Sequence, residues 1–311
     1  MKKILITGGA GFIGSMLSTE LINLGYQVTV IDKIKYSKNS LLHLLHNKNF
    51  TLIRKDIRVP NVLKEHIKNK DYIIPLAALV GAPLCAKYPK ETKEVNLGSI
   101  KTILKYIKKN QKIIYMNSNS GYGIGEKDKF CDENSPLNPI SLYGRTKIAA
   151  EKEILKFKNS LSFRLATVFG LSYRMRTDLL VNFLVYETVK NKKITLFEPN
   201  FRRNFIHIKD VVDGIIFAIK NFNKLKGNIY NLGLSNANIT KLQLAKLIKK
   251  NYKSLKIKII TNKKDPDKRD YFVSNKKIEK NGFTAKRSLE FGIQELIKVY
   301  ELKPLFEKNN Y

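Results

Sequence analysis

The chain has 311 residues, of which 43% are hydrophobic. This hydrophobic fraction excludes a disordered protein, and the length allows a sizeable core. No apolar run is as long as a membrane span requires. The 58 Lys and Arg residues outnumber the 26 Asp and Glu residues and leave a net charge of +32. Because the lysines are spread along the chain and not massed in one block, we expect no nucleic-acid partner, although the charge would attract anionic substrates in general. The two cysteines, Cys85 and Cys131, have no motif spacing, which indicates free thiols in a reducing compartment such as the cytoplasm.

Short apolar runs alternate with helical patterns in the first half of the chain, which is typical of a parallel sheet covered by helices on both faces. The predicted strands are Lys3–Thr7, Gln27–Asp32, Phe50–Arg54, Tyr72–Leu76, Lys112–Ser118 and Leu161–Leu165. The predicted helices are Phe12–Leu24, Pro89–Lys109, Ser141–Lys158, Leu179–Lys190 and Thr240–Lys250. We therefore predict an α/β fold, with a doubly wound parallel sheet in residues 1–170. A smaller α/β substrate lobe would occupy residues 171–311, and strands from it could return to the first domain.

A glycine-rich turn joins the first predicted strand to the first predicted helix. Its sequence is TGGAGFIG, with the spacing Gly8-x-x-Gly11-x-x-Gly14. Glycines permit a tight turn and let backbone N–H groups approach a pyrophosphate, which the helix N-terminus also attracts. Asp32 ends the second strand, where a carboxylate accepts from adenosine ribose hydroxyls and repels a 2′-phosphate, so NAD is favoured over NADP. The pattern predicts a Rossmann-type NAD site that includes Gly8, Gly11, Phe12, Ile13, Gly14 and Asp32.

Tyr143 and Lys147 are four residues apart in a predicted helix, so both side chains lie on one face. A free tyrosine has a pKa of about 10, too high for a base at neutral pH. A neighbouring ammonium group and an oxidised nicotinamide both favour the phenolate and lower that pKa. Downstream of a dinucleotide-binding turn, the pair predicts oxidation of a hydroxyl group, with Tyr143 as the base.

With these motifs in place, the chain resembles the extended short-chain dehydrogenase/reductase family, the NAD-dependent nucleotide-sugar epimerases and dehydratases, over essentially its whole length. The resemblance also rests on Ser118, four residues before Tyr122-Gly123, on Arg164 and on Arg203–His207. It implies that Ser118 hydrogen-bonds the sugar oxygen that is oxidised and that Tyr143 and Lys147 also contact the cofactor. It implies further cofactor contacts from Asp56 and Ile57 at the adenine, and from Leu76, Ala77, Ala78 and Asn96 nearer the ribose and nicotinamide.

Two positions depart from patterns within the family. The 4,6-dehydratases carry Asp and Glu directly after the catalytic Ser or Thr, whereas this chain has Asn119 and Ser120. Because dehydration needs those carboxyl groups, we expect no 4,6-dehydratase activity. Thr167 replaces the Asn that epimerases usually carry three residues after the position of Arg164. The residues expected to contact substrate are Ser118, Asn119, Ser120, Thr167, Arg174, Arg203 and Arg269.

Several segments resemble one group within the family more particularly. These are PLAALVGAPLC, NSGYGIGEKD, RLATVFG, RMRTDLLVN, FRRNFIHIKDVV and DPDKRDYFVSN. They are similar to dehydrogenases of capsule biosynthesis that oxidise C4 of a GDP-linked heptose. This similarity implies 2-oxoglutarate as the acceptor that reoxidises NADH. A 4-epimerase remains the alternative, because its chemistry up to the ketone is identical. The family also implies a homodimer through the helices Pro89–Lys109 and Ser141–Lys158.

We expect no metal site. The pair His43 and His46 has helical spacing, but no cluster of acidic residues or cysteines accompanies it.

Overall fold

The computed structural model describes residues 1–36, 38–126, 129–260 and 269–302. Residues 261–268 and 303–311, which belong to the predicted second lobe, lie outside this description. The strands are β1 Lys3–Thr7, β2 Gln27–Asp32, β3 Phe50–Arg54, β4 Tyr72–Pro75, β5 Lys112–Ser118, β6 Phe130–Cys131, β7 Ser160–Leu165, β8 Thr167–Phe169, β9 Lys193–Phe197, β10 Arg202–His207, β11 Ile229–Leu232, β12 Asn238–Thr240, β13 Lys256–Ile260 and β14 Phe272–Val273. The helices are α1 Phe12–Asn23, α2 Pro60–Ile67, α3 Ala82–Lys87, α4 Pro89–Lys93, α5 Ser99–Tyr106, α6 Leu142–Leu155, α7 Leu180–Asn191, α8 Ile208–Lys220, α9 Phe222–Leu225, α10 Lys241–Asn251, α11 Lys276–Lys280 and α12 Leu289–Glu301.

Seven parallel strands form the main sheet in the order β11-β7-β5-β4-β1-β2-β3. This confirms the predicted α/β fold with a Rossmann-type sheet. The chain runs outward from β1 in both directions, so β1 and β4 flank the point where the strand order reverses. In open α/β sheets, ligands bind in the crevice that forms at such a point, at the carboxyl ends of the strands.

Helices cover both faces of this sheet. Ile4 and Ile6 of β1 belong to one buried cluster with α1 and α8, whereas Leu5 belongs to another with α2, α5 and α6. Successive side chains of a strand point to opposite faces, so a strand buried on both sides is apolar at every position. This explains why β1 was recognisable from its uninterrupted apolar run.

The part of the chain after residue 170 contributes to two regions. Its strand β11 pairs with β7 in the main sheet, and its helix α8 packs against α1. The remaining strands form small sheets, β12-β10-β8 and β13-β9, and β14 pairs with β6. Within the described residues, no helix is long and apolar enough to cross a bilayer.

One predicted helix differs in detail from the structure. The prediction was a single helix over Pro89–Lys109, but a π-helical turn at Glu94–Gly98 separates α4 from α5. Asn96 lies in this turn, and its side chain bonds the backbone of Leu79 in the loop after β4. Such single π turns frequently occur at functional sites.

Candidate active site

A cleft of about 640 Å³ opens at the carboxyl edge of the main sheet. The cleft is lined by residues of β2 and β5, by the segments that follow β1, β4 and β8, and by Arg203 of β10. All the residues predicted to contact cofactor or substrate line this cleft, except Asn96 and Asn119. Residues far apart in the sequence therefore meet in one place.

The glycine turn has the shape that a dinucleotide requires. Gly8 has φ +73°, and a Cβ added to it would lie 2.5 Å from the backbone nitrogen of Ala77. A Cβ at Gly14 would lie 2.4 Å from the carbonyl oxygen of Gly8, so the turn and the first helical turn pack backbone against backbone. No side chain caps the N-terminus of α1 at Gly11, which leaves its N–H groups to bind an anion such as a pyrophosphate.

The Asp32 carboxylate is held in a fixed orientation at the end of β2. Its two oxygens accept hydrogen bonds from the backbone nitrogens of Ala10, at 3.0 Å, and Ile34, at 2.7 Å. Each oxygen keeps a lone pair for a further donor. This geometry suits the predicted contact with ribose hydroxyls.

Asp56 lies in an ion-pair cluster beside the cleft. Arg58 Nη2 contacts Asp56 Oδ2 at 2.7 Å, and Lys33 Nζ contacts it at 3.1 Å. Burial alone would raise the pKa of Asp56, but the hydrogen bonds from Arg58 and Lys33 hold it well below its usual range. Lys33 is thus paired with a carboxylate and is not free to recognise a 2′-phosphate, which is consistent with NAD.

Tyr143 and Lys147 lie one turn apart near the start of α6. The helix begins after Ser141, whose Oγ accepts from the backbone nitrogen of Gly144 at 3.1 Å. Burial raises the pKa of Tyr143, while the charges of Arg269 and Arg176 and a hydrogen bond with Ser118 lower it less strongly. The base is therefore predominantly protonated in the protein alone.

The pKa of Lys147 is also shifted mainly by burial. It is 6% exposed, and its ammonium lies 4.2 Å from the ring centroid of Tyr115. Burial lowers the pKa of Lys147 to about 7, although Glu151 opposes the shift. On balance burial raises the pKa of Tyr143 in the protein alone, and the expectation that Lys147 together with oxidised NAD lowers it stays a prediction.

The end of β5 supplies polar groups to the cleft. Ser118 Oγ accepts from the backbone nitrogen of Ser120 at 3.1 Å, and Asn117 Oδ1 accepts from that of Ser118 at 2.8 Å. Asn117 Nδ2 and Ser120 Oγ are buried without a hydrogen-bond partner among the described residues, and both residues line the cleft. Buried polar groups of this kind are expected to find partners in a ligand. Asn117 was not predicted, although a polar residue in an otherwise apolar strand was a usable signal.

Two predicted contacts do not reach the cleft. Asn96 is 2% exposed and exchanges two hydrogen bonds with the Leu79 backbone, at 2.8 and 3.0 Å. It therefore positions the loop after β4, and its contact with the cofactor stays a prediction. Asn119 is 1% exposed, belongs to the 3₁₀ turn at Asn119–Tyr122 and does not line the cleft. Among the described residues, neither amide atom of Asn119 has a hydrogen-bond partner.

Cationic side chains line the side of the cleft opposite the sheet. Arg203 is 2% exposed, and Arg176 is 9% exposed and forms an ion pair with Asp178. Arg269 and Lys241 line the same region, and Thr167 lies between it and the sheet. Arg176 and Lys241 were not predicted as site residues. Together these groups form a site suited to a phosphorylated ligand.

The model of the NAD dependent epimerase/dehydratase family matches residues 4–233. The chain belongs to this family. NAD is accordingly its cofactor, and the backbone cradle at Gly8 and Gly14 fits it. A cofactor contact from Asp32 agrees with that assignment.

Relatives resemble the chain over most of its length. It is 31% identical over 251 residues to an uncharacterized UDP-glucose epimerase of Bacillus subtilis (strain 168), with 74% of this chain and 76% of that protein covered. It is 28% identical over 321 residues to UDP-glucuronic acid decarboxylase 1 of Arabidopsis thaliana, with 98% and 71% covered. Among solved structures, the UDP-glucuronic acid 4-epimerase of Bacillus cereus, in complex with UDP-glucuronic acid and NAD, superposes with a TM-score of 0.83 at 25% identity, with 96% and 100% covered. The chain is thus an NAD-dependent enzyme of the nucleotide-sugar epimerase and dehydratase type.

Proposed function

We propose that this protein oxidises the C4 hydroxyl of a nucleotide-activated sugar. The observation that carries the proposal is the meeting of Tyr143, Lys147 and Ser118 in one cleft beside the glycine turn. NAD, when bound, supplies the hydride acceptor. The protein supplies orientation and electrostatics, which is the usual division between a cofactor and its enzyme.

Each residue of the trio has a distinct role in this proposal. Ser118 orients the sugar hydroxyl, and Tyr143 accepts its proton. Lys147 binds the ribose next to the nicotinamide. Because burial keeps the pKa of Tyr143 high in the protein alone, the positive charge that arrives with oxidised NAD would favour the phenolate at the moment it is needed.

The proposed substrate is GDP-D-glycero-α-D-manno-heptose, and the product is its 4-keto form. Support comes from the similarity of the six segments named above to GDP-D-glycero-α-D-manno-heptose 4-dehydrogenase, an enzyme of capsule biosynthesis. Ser120 lines the cleft with a hydroxyl at a position where a dehydratase would carry a carboxyl group, which argues against loss of water from the ketone. Arg203 and Arg269 would bind the diphosphate.

The oxidised sugar leaves two electrons on NADH. We propose that 2-oxoglutarate accepts them in the same cleft and leaves as 2-hydroxyglutarate, so that each turnover regenerates NAD. The enzyme would act in the cytoplasm as a homodimer, with α5 and α6 of each subunit at the interface.

A 4-epimerase is the second candidate. The relative from Bacillus subtilis and the structure from Bacillus cereus are both named as epimerases. In an epimerase the ketone would rotate in the cleft and take the hydride back on its other face. The same three residues serve both reactions up to the ketone.

Mass spectrometry of reactions with GDP- and UDP-sugars, with and without 2-oxoglutarate, tests the proposal. We expect a GDP-heptose to lose two hydrogens only when 2-oxoglutarate is present, with 2-hydroxyglutarate formed in equal amount. A product of unchanged mass and no demand for an oxidant would identify the epimerase. Loss of water from any nucleotide-hexose would contradict the interpretation of Asn119 and Ser120.

The variant Tyr143→Phe tests the base directly. Removal of the phenol oxygen should lower kcat by about 10²-fold or more, since general base catalysis typically contributes that much. NAD binding should be retained, because the glycine turn is unchanged. Substantial remaining turnover would exclude the role assigned to Tyr143.

A further inference from the structure

The segment around Arg174 is attached to the dinucleotide side of the cleft, although it follows β8. Ser172 Oγ donates to the carbonyl oxygen of Phe12 at 2.7 Å and lies 3.2 Å from Ser15 Oγ. The backbone nitrogen of Arg174 donates to the same Ser172 Oγ at 3.2 Å. Phe12 and Ser15 belong to the first turn of α1. The backbone of Arg174 is therefore fixed next to the uncapped N-terminus of that helix.

The side chain of Arg174 remains on this side of the cleft. It is 5% exposed, and its Cζ lies 5.2 Å from the ring centroid of Tyr36, four residues after Asp32. Burial and the charge of nearby Arg176 lower the pKa of Arg174 to about 10, while the charges of Asp178 and Asp32 oppose the shift. The guanidinium is thus a cation at neutral pH, within electrostatic reach of the carboxylate at the end of β2.

The other arginines of the cleft are placed differently. Arg269 and Arg176 act on the pKa of the Tyr143 phenol, and Arg203 lies 5.8 Å from the ring of Tyr271. Arg269 and Arg176 are therefore near the reacting end of the cleft, and Arg203 is on its far side. Arg174, in contrast, is joined to the helix after the glycine turn through Ser172, and its guanidinium lies beside Tyr36 in the loop after β2.

We propose that Arg174 binds the pyrophosphate of NAD and belongs to the cofactor site, not to the nucleotide-sugar site. A planar guanidinium matches two phosphate oxygens with parallel N–H bonds. The uncapped N-terminus of α1 offers backbone N–H groups to the same anion from the other side. Such an anion would stabilise a cation that is buried in the wall of the cleft. This explains why an arginine occupies the position whose backbone the Ser172 hydroxyl holds.

Separate binding measurements for cofactor and nucleotide test the assignment. NADH binding is followed by the fluorescence of its nicotinamide, and GDP and UDP binding by calorimetry. Arg174→Gln should raise the Kd for NADH by about tenfold or more, because it removes charge-assisted hydrogen bonds. The Kd values for GDP and UDP should change less than twofold. Arg174→Lys should weaken NADH less than Arg174→Gln, since it keeps the charge but loses the fork of donors.

Arg269→Gln is the matched control, because Arg269 lines the same cleft at the reacting end. This variant should change the Kd for NADH by less than twofold and should weaken the binding of GDP or UDP. An unchanged Kd for NADH in Arg174→Gln would overturn the proposal, and so would an equal loss of GDP or UDP affinity. If Arg174→Gln does not fold, the same comparison with Arg174→Lys decides the question.

Discussion

At the scale of single residues, burial sets the acid–base properties of the catalytic pair. Tyr143 and Lys147 both lose solvation, so the pKa of the phenol rises and that of the ammonium falls to about 7. Both shifts favour the neutral forms. Burial thus acts against the charged form of each group in the protein without cofactor, and we expect the charge of oxidised NAD to favour the phenolate.

Lys147→Met is expected to stabilise the cofactor-free protein. The folded pKa of Lys147, about 7, lies below the ordinary value of 10.5, so the unfolded chain binds the proton more tightly between these values. The free-energy cost of burying Lys147 in the folded protein is therefore at its maximum below pH 7 and disappears above about pH 10.5. Urea denaturation should show that the advantage of Lys147→Met shrinks by roughly 1.4 kcal/mol per pH unit across this window.

A lysine on the same helix serves as the control for that measurement. Lys152 is exposed, so Lys152→Met should change the free energy of unfolding by the same small amount at pH 7 and pH 9. A pH-independent effect of Lys147→Met would show that the lysine is not desolvated as described.

At the scale of elements, the π turn between α4 and α5 positions a loop of the cofactor site. Asn96 projects from this turn and holds the Leu79 backbone by both of its amide atoms. The loop that contains Leu76, Ala77 and Ala78 lines the cleft. A residue outside the cleft can therefore determine the shape of its wall.

Asn96→Ala should weaken NAD binding several-fold even though Asn96 does not line the cleft. Loss of the two bonds leaves the N–H of Leu79 without its partner and its C=O with only the weak thiol donor of Cys85, and each unsatisfied group costs about 1–3 kcal/mol of stability. Fluorescence titration with NADH and thermal denaturation measure the two effects. Thr102→Val removes only a local bond to Gly98 on the next helix and should leave NADH binding unchanged. Equal NADH affinity in Asn96→Ala and the parent protein would contradict the positioning role.

At the scale of the whole molecule, a buried polar network ties α6 to the main sheet. Arg164 Nη2 contacts Glu151 Oε1 at 2.8 Å, and Ser162 Oγ donates to Glu151 Oε2 at 2.6 Å. Arg164 Nη1 donates to the Tyr122 hydroxyl, which donates to Asn231 Oδ1 on β11. The network joins the helix that carries Tyr143 to strands from both halves of the chain.

Arg164→Met should lower the free energy of unfolding by about 3–5 kcal/mol, because it leaves the Glu151 carboxylate buried without its partner. The double variant Arg164→Met/Glu151→Leu should recover much of this loss, since the unpaired charge is also removed. Urea denaturation of both variants provides the comparison. If the double variant is less stable than the single one, the network contributes more than its ion pair.

The net charge of +32 leads to a prediction for the whole surface. A cationic protein attracts an anionic nucleotide sugar over distances that salt screens, with a Debye length of about 10 Å at 0.1 M ionic strength. We expect kcat/KM to fall several-fold as sodium chloride is raised from about 50 to 500 mM, while kcat changes little. A kcat/KM independent of salt would show that the scattered lysines do not guide the substrate.

Local patterns in the sequence were sufficient for the fold class and the chemistry. The glycine turn, the carboxylate at the end of β2 and the pair Tyr143 and Lys147 each involve residues close in the chain. What these features predict follows from strand alternation and helical spacing alone. Strands β1, β2, β3 and β5 were predicted to the residue for the same reason.

Other properties depend on residues that meet only after folding, and these could not be read from local spacing. Asn117 lines the cleft, Asn96 and Asn119 do not, and the backbone of Arg174 is tied to α1 through Ser172. Long-range packing determines each of these positions. The pKa values of Tyr143 and Lys147 follow from burial, which sequence spacing does not contain. The sequence therefore specifies which chemical groups the protein has for oxidising a hydroxyl beside NAD. The tertiary structure determines which of them face the cofactor, which face the sugar and which support the others, since solvation and contact depend on the whole packed chain.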